Sequence, residues 1–258
     1  MALQAFQECI SAYSREKVNQ TVSESDTMWN QWYWQVGESA VMNVALAIAS
    51  SNVTSVNHVL DLPCGHGRVL RHLTVMFPKA RFYACDLDRG GVDFCSKTLG
   101  AHPFYSREEL TEVVFPTTFD LIWVGSLFTH ISRDLTRRWL NHLARFLTPS
   151  GIIVATTHGR WCESVHRLHP YIAEQSWESV LREYRSTGYG YADYASSESH
   201  DYIAGSYGIS LVKPHAFISD LEGVEGTRIF MYRERGWADH QDVVAFGKPS
   251  VDEKWPGM

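Results

Sequence analysis

The chain has 258 residues, 45% hydrophobic and 20% charged, which suffices for a core that needs no staple. A formal charge of -6 argues against a polyanionic partner such as nucleic acid, whose phosphates draw on clustered Lys and Arg. Five cysteines without a C-x-x-C pair read as neither a disulfide framework nor a zinc site, and they suit a reducing compartment.

The opening MALQAFQECISAYSREK has no basic start leading into an apolar run, so it does not read as a signal peptide. The most apolar stretch, Ala40 to Ala49, is about half the length needed to cross a bilayer. A cytoplasmic protein without membrane partners is the expectation. A helix is predicted over Glu38 to Ser50, and the segment before it carries Trp29, Trp32, Tyr33 and Trp34.

From Val56 onward short apolar runs alternate with amphipathic segments, the pattern of βαβ units and a parallel sheet. Strand one is read at Val56 to Leu62, then a helix near Arg68 to Phe77 that Pro78 stops. Strand two follows at Ala80 to Cys85, a helix near Val92 to Leu99 and a short strand at His102 to Tyr105. Ser106 and Glu109 have the S-x-x-E spacing of a capping box. Strand four is Phe119 to Val124. The next helix presents Leu135, Trp139, Leu143, Phe146 and Leu147 on one face. Thr148-Pro149-Ser150-Gly151 turns the chain into strand five at Ile152 to Thr156.

Trp161 to Val212 breaks the alternation. It is rich in Tyr, Ser, Gly and His and reads as an insert. A Pro-initiated helix spans Pro214 to Leu221. Strands at Arg228 to Arg233 and Asp242 to Phe246 follow, joined by a connection too short for a parallel crossover. The expected fold is therefore α/β, a doubly wound, mostly parallel sheet whose last strand is antiparallel. Four regions are expected: a helical and aromatic cap over 1–50, a core over 51–160, the insert over 161–213, and a closing unit over 214–258.

The residues that carry chemistry lie at the carboxyl ends of these strands. Val59-Leu60-Asp61-Leu62-Pro63-Cys64-Gly65-His66-Gly67-Arg68 is an apolar strand ending in an acid, followed by a glycine turn into a helix. Glycines admit a close ligand, and the helix start offers unpaired N–H groups. A nicotinamide dinucleotide site wants a third glycine where this chain has Leu70. An acid at the strand end also sits badly beside a pyrophosphate and well beside an ammonium. Asp86, at the end of strand two, is placed to accept hydrogen bonds from ribose hydroxyls.

On these motifs the sequence resembles the class I S-adenosylmethionine-dependent methyltransferases, which have a Rossmann-like seven-stranded sheet. VLDLPCGHG is similar to their first motif, CDLD to the second, FDLIWVGSLFTHI to the strand-four motif and LTPSGIIVATTHG to the strand-five motif. The terminal strand pair ending in WADHQDVVAF is similar too, and Pro63 departs from the glycine common at its position. The resemblance implies S-adenosylmethionine as cofactor. It places Asp61, Gly65 and Gly67 around the methionine part, Asp86 on the ribose and Leu87 at the adenine.

The methyl acceptor is expected at the same edge. Strand four delivers Gly125, Ser126 and His130, strand five delivers His158 and Arg160, and the last loop carries Trp237, His240 and Gln241. An oxygen acceptor would want a base near neutrality, for which the candidates are His158, His130 and His240, in that order. Each has a plain structural alternative, His130 as a cap for the helix near Ser132 among them. The segment with Trp29, Trp32, Tyr33 and Trp34 is expected to reach this edge too, as an aromatic roof or as a hydrophobic staple for the N-terminal helix. The tyrosines at 184, 189, 191, 194, 202 and 207 are read as part of that roof or as packing for the insert. After strand four stands Val124-Gly125-Ser126-Leu127, unlike the motif of base-amine methyltransferases, and the Pro63-Cys64 pair lies in the cofactor loop. The expected activity is methyl transfer to a small molecule, most plausibly at oxygen. The alternatives are a cofactor-binding sensor or partner subunit without turnover, and a nicotinamide-dependent oxidoreductase. The spacing of histidines and acids suggests no metal site, and the sequence says nothing of oligomeric state.

Overall fold

A computed structural model of the chain describes residues 2–194 and 207–249. Tyr202 lies outside these residues. The helices are α1 (Ala2–Ala12), α2 (Tyr33–Ser50), α3 (Leu70–Met76), α4 (Arg89–Leu99), α5 (Arg133–Ala144), α6 (Arg160–Leu168), α7 (Glu174–Thr187) and α8 (Pro214–Glu222). The strands are β1 (His58–Asp61), β2 (Arg81–Asp86), β3 (His102–Tyr105), β4 (Phe119–Val124), β5 (Leu147–Thr157), β6 (Tyr189–Asp193), β7 (Gly208–Val212), β8 (Arg228–Trp237) and β9 (Gln241–Gly247).

Seven strands form one sheet in the order β3-β2-β1-β4-β5-β9-β8. The first five are parallel to their neighbours, and β9 runs antiparallel to both β5 and β8. The doubly wound sheet with one reversed strand is as expected. Because side chains alternate along a strand, successive residues feed opposite layers. Val59, Trp123 and Val154 face α1 to α4. Leu60, Ile122 and Ile153 face α5 and α8. All six of these residues are essentially inaccessible, and each stabilises the fold by roughly 1.5–3 kcal/mol relative to exposure.

Local chemistry sets most helix ends. The Asp88 side chain accepts the Gly90 N–H at 2.9 Å to start α4, and Gly100, at φ 71°, ends it in the left-handed conformation. Several boundaries differ from the sequence expectation. Leu147 is not the end of α5 but the first residue of β5, which runs through the Thr148 to Gly151 turn residues with a register shift opposite β4. Glu109 is not the far half of a capping box. Its own carboxylate accepts the Thr111 N–H and caps a single 3-10 turn, while Ser106 Oγ bonds the Arg107 carbonyl. Strand β8 continues to Trp237, so the last connection is a tight turn at 238–240 rather than a longer loop. Helix α2 begins at Tyr33, which puts Tyr33 and Trp34 in its first turn.

The insert is more regular than its composition suggests. Helices α6 and α7 and the β6–β7 hairpin enclose a small core of Cys162, Trp177, Val180, Tyr184, Ile209 and Leu211. The hairpin docks on the edge where parallel strands end. Gly208 and Ser210 donate their N–H groups to the His130 and Thr129 carbonyls, and Val212 donates to the His158 carbonyl. At the other end, Arg71 fixes the N-terminal segment. Its guanidinium is fully buried and donates to the carbonyls of Asn19, Thr21, His66 and Gly67. Among the described residues, no helix is long and apolar enough to cross a membrane.

Candidate active site

A cavity of about 460 Å3 opens at the carboxyl ends of β1, β2 and β4, within the usual range for a small-molecule site. Its wall includes Asp61, Gly65, Asp86 and Leu87 from the predicted cofactor set, and Ser126, His130, Tyr207 and Trp237 further along the edge. Gly67 stands behind the wall in the same turn. The turn itself requires glycine, since Gly65 and Gly67 have φ of 46° and 75°. A Cβ on Gly67 would also lie 2.5 Å from the Leu99 side chain. Gly91 is needed for a related reason, because a Cβ there would meet the Gly65 carbonyl oxygen at 2.4 Å.

Two carboxylates face this turn and behave differently. Asp86 is partnered: Oδ2 accepts the Gly65 N–H at 2.7 Å and Oδ1 accepts the Asp88 N–H at 3.0 Å. Burial still raises its pKa, against these backbone hydrogen bonds. Asp61 is 1% exposed, and neither of its carboxylate oxygens has a hydrogen-bond partner. Burial, with the nearby Asp86 charge adding to it, pushes the Asp61 pKa well above the usual carboxylate range; the Leu70 N–H dipole and the Arg68 charge oppose the shift, although neither closes a hydrogen bond to the carboxylate. A buried carboxyl without a partner is an unfavourable state that a cationic ligand would relieve.

The far side of the cavity is held by a polar relay between strands. Ser126 has φ 62°, a left-handed conformation that costs roughly 1–3 kcal/mol in a residue with a side chain. Its N–H donates to Thr156 Oγ1 at 2.8 Å, Thr156 donates to Gln241 Oε1 at 2.6 Å, and Gln241 Nε2 donates to Ser126 Oγ at 2.7 Å. This closed ring pays for the strain and aims the loop after β4 into the cavity. His130 follows four residues later. Its Nδ1 lies 2.9 Å from the Gly208 carbonyl oxygen and 3.1 Å from the Tyr194 hydroxyl.

His158 and His240 are not in the cavity wall. His158 is 4% exposed and sits behind His130, with ring centroids 6.0 Å apart, and burial lowers its pKa well below the usual histidine value. The two neighbouring histidines reinforce that shift. His240 lies beyond His158, at 5.5 Å between rings. The fold thus gathers all three histidines at one edge but brings only His130 to the cavity.

The aromatic roof is also built from other residues than the tryptophans at 29, 32 and 34. Trp29, Tyr33 and Trp34 pack on one another, and Trp29 and Trp32 remain more than half exposed. The wall instead contains Trp123, Trp139, Tyr207 and Trp237. Trp123 and Trp237 meet edge to face at 5.4 Å, and the Arg68 guanidinium lies 5.8 Å from the Trp237 ring. The sequence reading also missed Asp26, Thr27 and Met28, which line the cavity from the N-terminal segment. Arg68 was legible as the residue after the glycine turn; nothing in the pattern marks Asp26.

Comparison with known proteins agrees with this geometry. Residues 59–151, from the start of the glycine motif to the opening of β5, match the family model described as a methyltransferase domain. These residues form a methyltransferase domain. Among curated proteins, a malonyl-[acyl-carrier protein] O-methyltransferase of Halalkalibacterium halodurans is 25% identical over 117 residues. That match spans 43% of this chain and 42% of the relative, so less than half of the relative's length is covered. Among solved structures, the CcbJ methyltransferase of Streptomyces caelestis superposes with a TM-score of 0.55 at 12% identity, over 92% of this chain and 100% of that one. An S-adenosylmethionine-dependent methyltransferase of Clostridium acetobutylicum gives 0.53 at 12% identity, over 86% and 93%. At such identities the structural likeness shows the methyltransferase fold alone.

The residues of the domain fit its cofactor. Asp61 offers a buried carboxylate in need of a cation, which the ammonium of S-adenosylmethionine supplies. The Gly65–Gly67 turn leaves the backbone open to close approach, and the Asp86 carboxylate has lone pairs left for ribose hydroxyls after its two backbone bonds.

Proposed function

We propose that this protein transfers a methyl group from S-adenosylmethionine to an oxygen of a small-molecule acceptor. The observation that carries the reading is the unpartnered, buried Asp61 carboxylate on a cavity whose opposite wall holds His130. The cofactor, when bound, supplies an electrophilic methyl on a sulfonium. Asp61 anchors the ammonium, Asp86 orients the ribose, and Leu87 borders the base. Tyr207, Trp123 and Trp237 shape a cleft that excludes water, so that much of the rate comes from holding the acceptor in line. His130 is positioned to accept the acceptor's proton. A carbonyl oxygen cannot donate, so the contact with Gly208 assigns the proton on His130 to Nδ1 and leaves Nε2 as the basic nitrogen.

The acidic balance of the chain and a cavity of a few hundred Å3 support a small acceptor over a nucleic acid. Oxygen as the acceptor atom is in keeping with the O-methyltransferase among the curated relatives. On this reading 51–160 is the cofactor core, 1–50 and 161–213 cover the acceptor side, and 214–258 completes the sheet of a cytoplasmic enzyme.

Calorimetric titration with S-adenosylhomocysteine, with NAD in parallel, tests the cofactor half of the proposal. Micromolar binding of the former alone is expected. A panel of hydroxylated and carboxylated small molecules, scored for methyl transfer, tests the rest; tight cofactor binding without turnover on any of them would favour a sensor or partner subunit.

A further inference from the structure

Behind the His130 wall, two stretches distant in sequence, His158 to Cys162 and the turn at His240, bring together three side chains suited to a metal. His158 follows β5, Cys162 lies in the first turn of α6, and His240 lies in the turn between β8 and β9. One ligand atom from each lies within 4.8 Å of the other two. Cys162 is fully buried and His158 nearly so. We propose that His158, Cys162 and His240 hold a borderline-soft divalent cation of the Zn2+ class, with the Tyr171 hydroxyl at the fourth position.

The geometry and the donor chemistry support this independently. In a tetrahedral zinc site, bond lengths of about 2.0–2.1 Å to nitrogen and about 2.3 Å to sulfur place N and S roughly 3.6 Å apart. Cys162 Sγ and His240 Nε2 are 3.9 Å apart, and the Tyr171 hydroxyl is 3.1 Å from the same His240 nitrogen. A contraction of a few tenths of an ångström closes that pair. The outer contacts are also those a metal-binding histidine needs. His158 Nδ1 faces the Ser210 carbonyl oxygen at 3.3 Å, which fixes its proton there and leaves Nε2 as the nitrogen with a lone pair for the cation. Tyr171 is held by its N–H to His166 Nδ1 at 3.1 Å and stacks on the His158 ring, with centroids 5.4 Å apart. Two imidazoles and a thiolate select zinc, cobalt or copper over magnesium or calcium.

The cation would pin the insert to the sheet. Its ligands join the end of β5, the start of the insert and the β8–β9 turn, next to the histidine that reaches the cavity. The simpler reading is a hydrogen-bonded polar cluster with no cation affinity. It makes opposite predictions.

The test is metal content of the purified chain, followed by Co2+ titration after chelation. One Co2+ per chain is expected, with a near-ultraviolet thiolate-to-cobalt band and strong visible bands of tetrahedral cobalt. Cys162→Ala should abolish the thiolate band and His240→Ala should weaken Co2+ binding by at least about tenfold. S-adenosylhomocysteine binding by Cys162→Ala reports on folding and stands apart from the cobalt signal, so failure of the metal proposal is distinguishable from failure of the methyl-transfer reading. If Cys162→Ala does not fold, Cys162→Ser keeps the volume and removes the sulfur band. No saturable Co2+ uptake by the wild-type chain, or a thiolate band that persists without the Cys162 sulfur, overturns the proposal.

Discussion

The Asp86 carboxylate accepts the Gly65 N–H at 2.7 Å, so the acid that ends β2 and the glycine turn that follows β1 are one mechanical unit. Asp86→Ala therefore removes a ribose acceptor and also releases the turn that receives the rest of the cofactor. We expect S-adenosylhomocysteine affinity to fall by about 1.5–3 kcal/mol or more, the range for a hydrogen bond to a charged group. Calorimetry measures it directly, and an unchanged dissociation constant would remove Asp86 from the site.

Asp61 gives a prediction about protons. Burial raises its pKa, whereas a bound ammonium favours the ionised form. At pH values between the pKa of the complex and that of the free protein, cofactor binding then expels a proton and affinity rises with pH. Titrations in two buffers of different ionisation enthalpy should give different apparent heats, and Asp61→Asn should abolish the difference along with most of the binding. Identical heats in the wild-type protein would show that Asp61 is already ionised.

His130→Ala separates binding from chemistry. If His130 takes the acceptor proton, turnover should drop by about 10²–10⁴-fold while cofactor affinity stays nearly intact. His130→Gln can keep a donor to the Gly208 carbonyl without a basic nitrogen, and it should be as slow as His130→Ala. A Gln variant with normal turnover would assign His130 to positioning of the β6–β7 hairpin alone.

His72 should make stability depend on pH. It is fully buried, Nδ1 meets the Tyr13 hydroxyl at 2.8 Å, and Nε2 has no partner. Burial first, then the nearby Arg71 and Arg15 charges, lower its pKa from 6.5 to about 4. The unfolded chain therefore binds more protons than the folded one between these values. The full stability is present above pH 6.5 and declines as pH falls toward 4, by up to about 3 kcal/mol. Urea unfolding at pH 7.5 and pH 5 should show the decline in the wild-type chain and a smaller one in His72→Gln. Equal declines in both would place the titration elsewhere.

Much of the sheet was legible because its interior strands are continuous apolar runs, and because a positive φ after β1 calls for glycine at Gly65 and Gly67. The boundaries that shifted have local causes. Strand β5 starts inside turn-type residues because a register shift lets Thr148 to Gly151 bend within the sheet. The outer strand β8 runs on through Arg233-Glu234-Arg235 to Trp237, and these exposed charges hide its far end from a hydrophobic pattern. The site was legible only where one element carries it. Asp61 and Asp86 are strand ends, whereas Asp26 reaches the cavity through the Arg71 hydrogen bonds to Asn19 and Thr21, a tertiary arrangement with no local signature. Likewise, Cys162 and His240 meet across 78 residues of sequence separation.

The position of β9 bears on how the chain reaches this form. Among the described residues it is the last strand in sequence, yet it lies between β5 and β8. Until it arrives, β5 presents a long apolar edge with open backbone donors and acceptors, throughout the synthesis of the insert and α8. Such an edge is a template for pairing with another molecule. A product cut short before Gln241 would keep the whole glycine motif and still be prone to aggregate, so expression of truncated forms should fail by insolubility before it fails by loss of the cofactor residues.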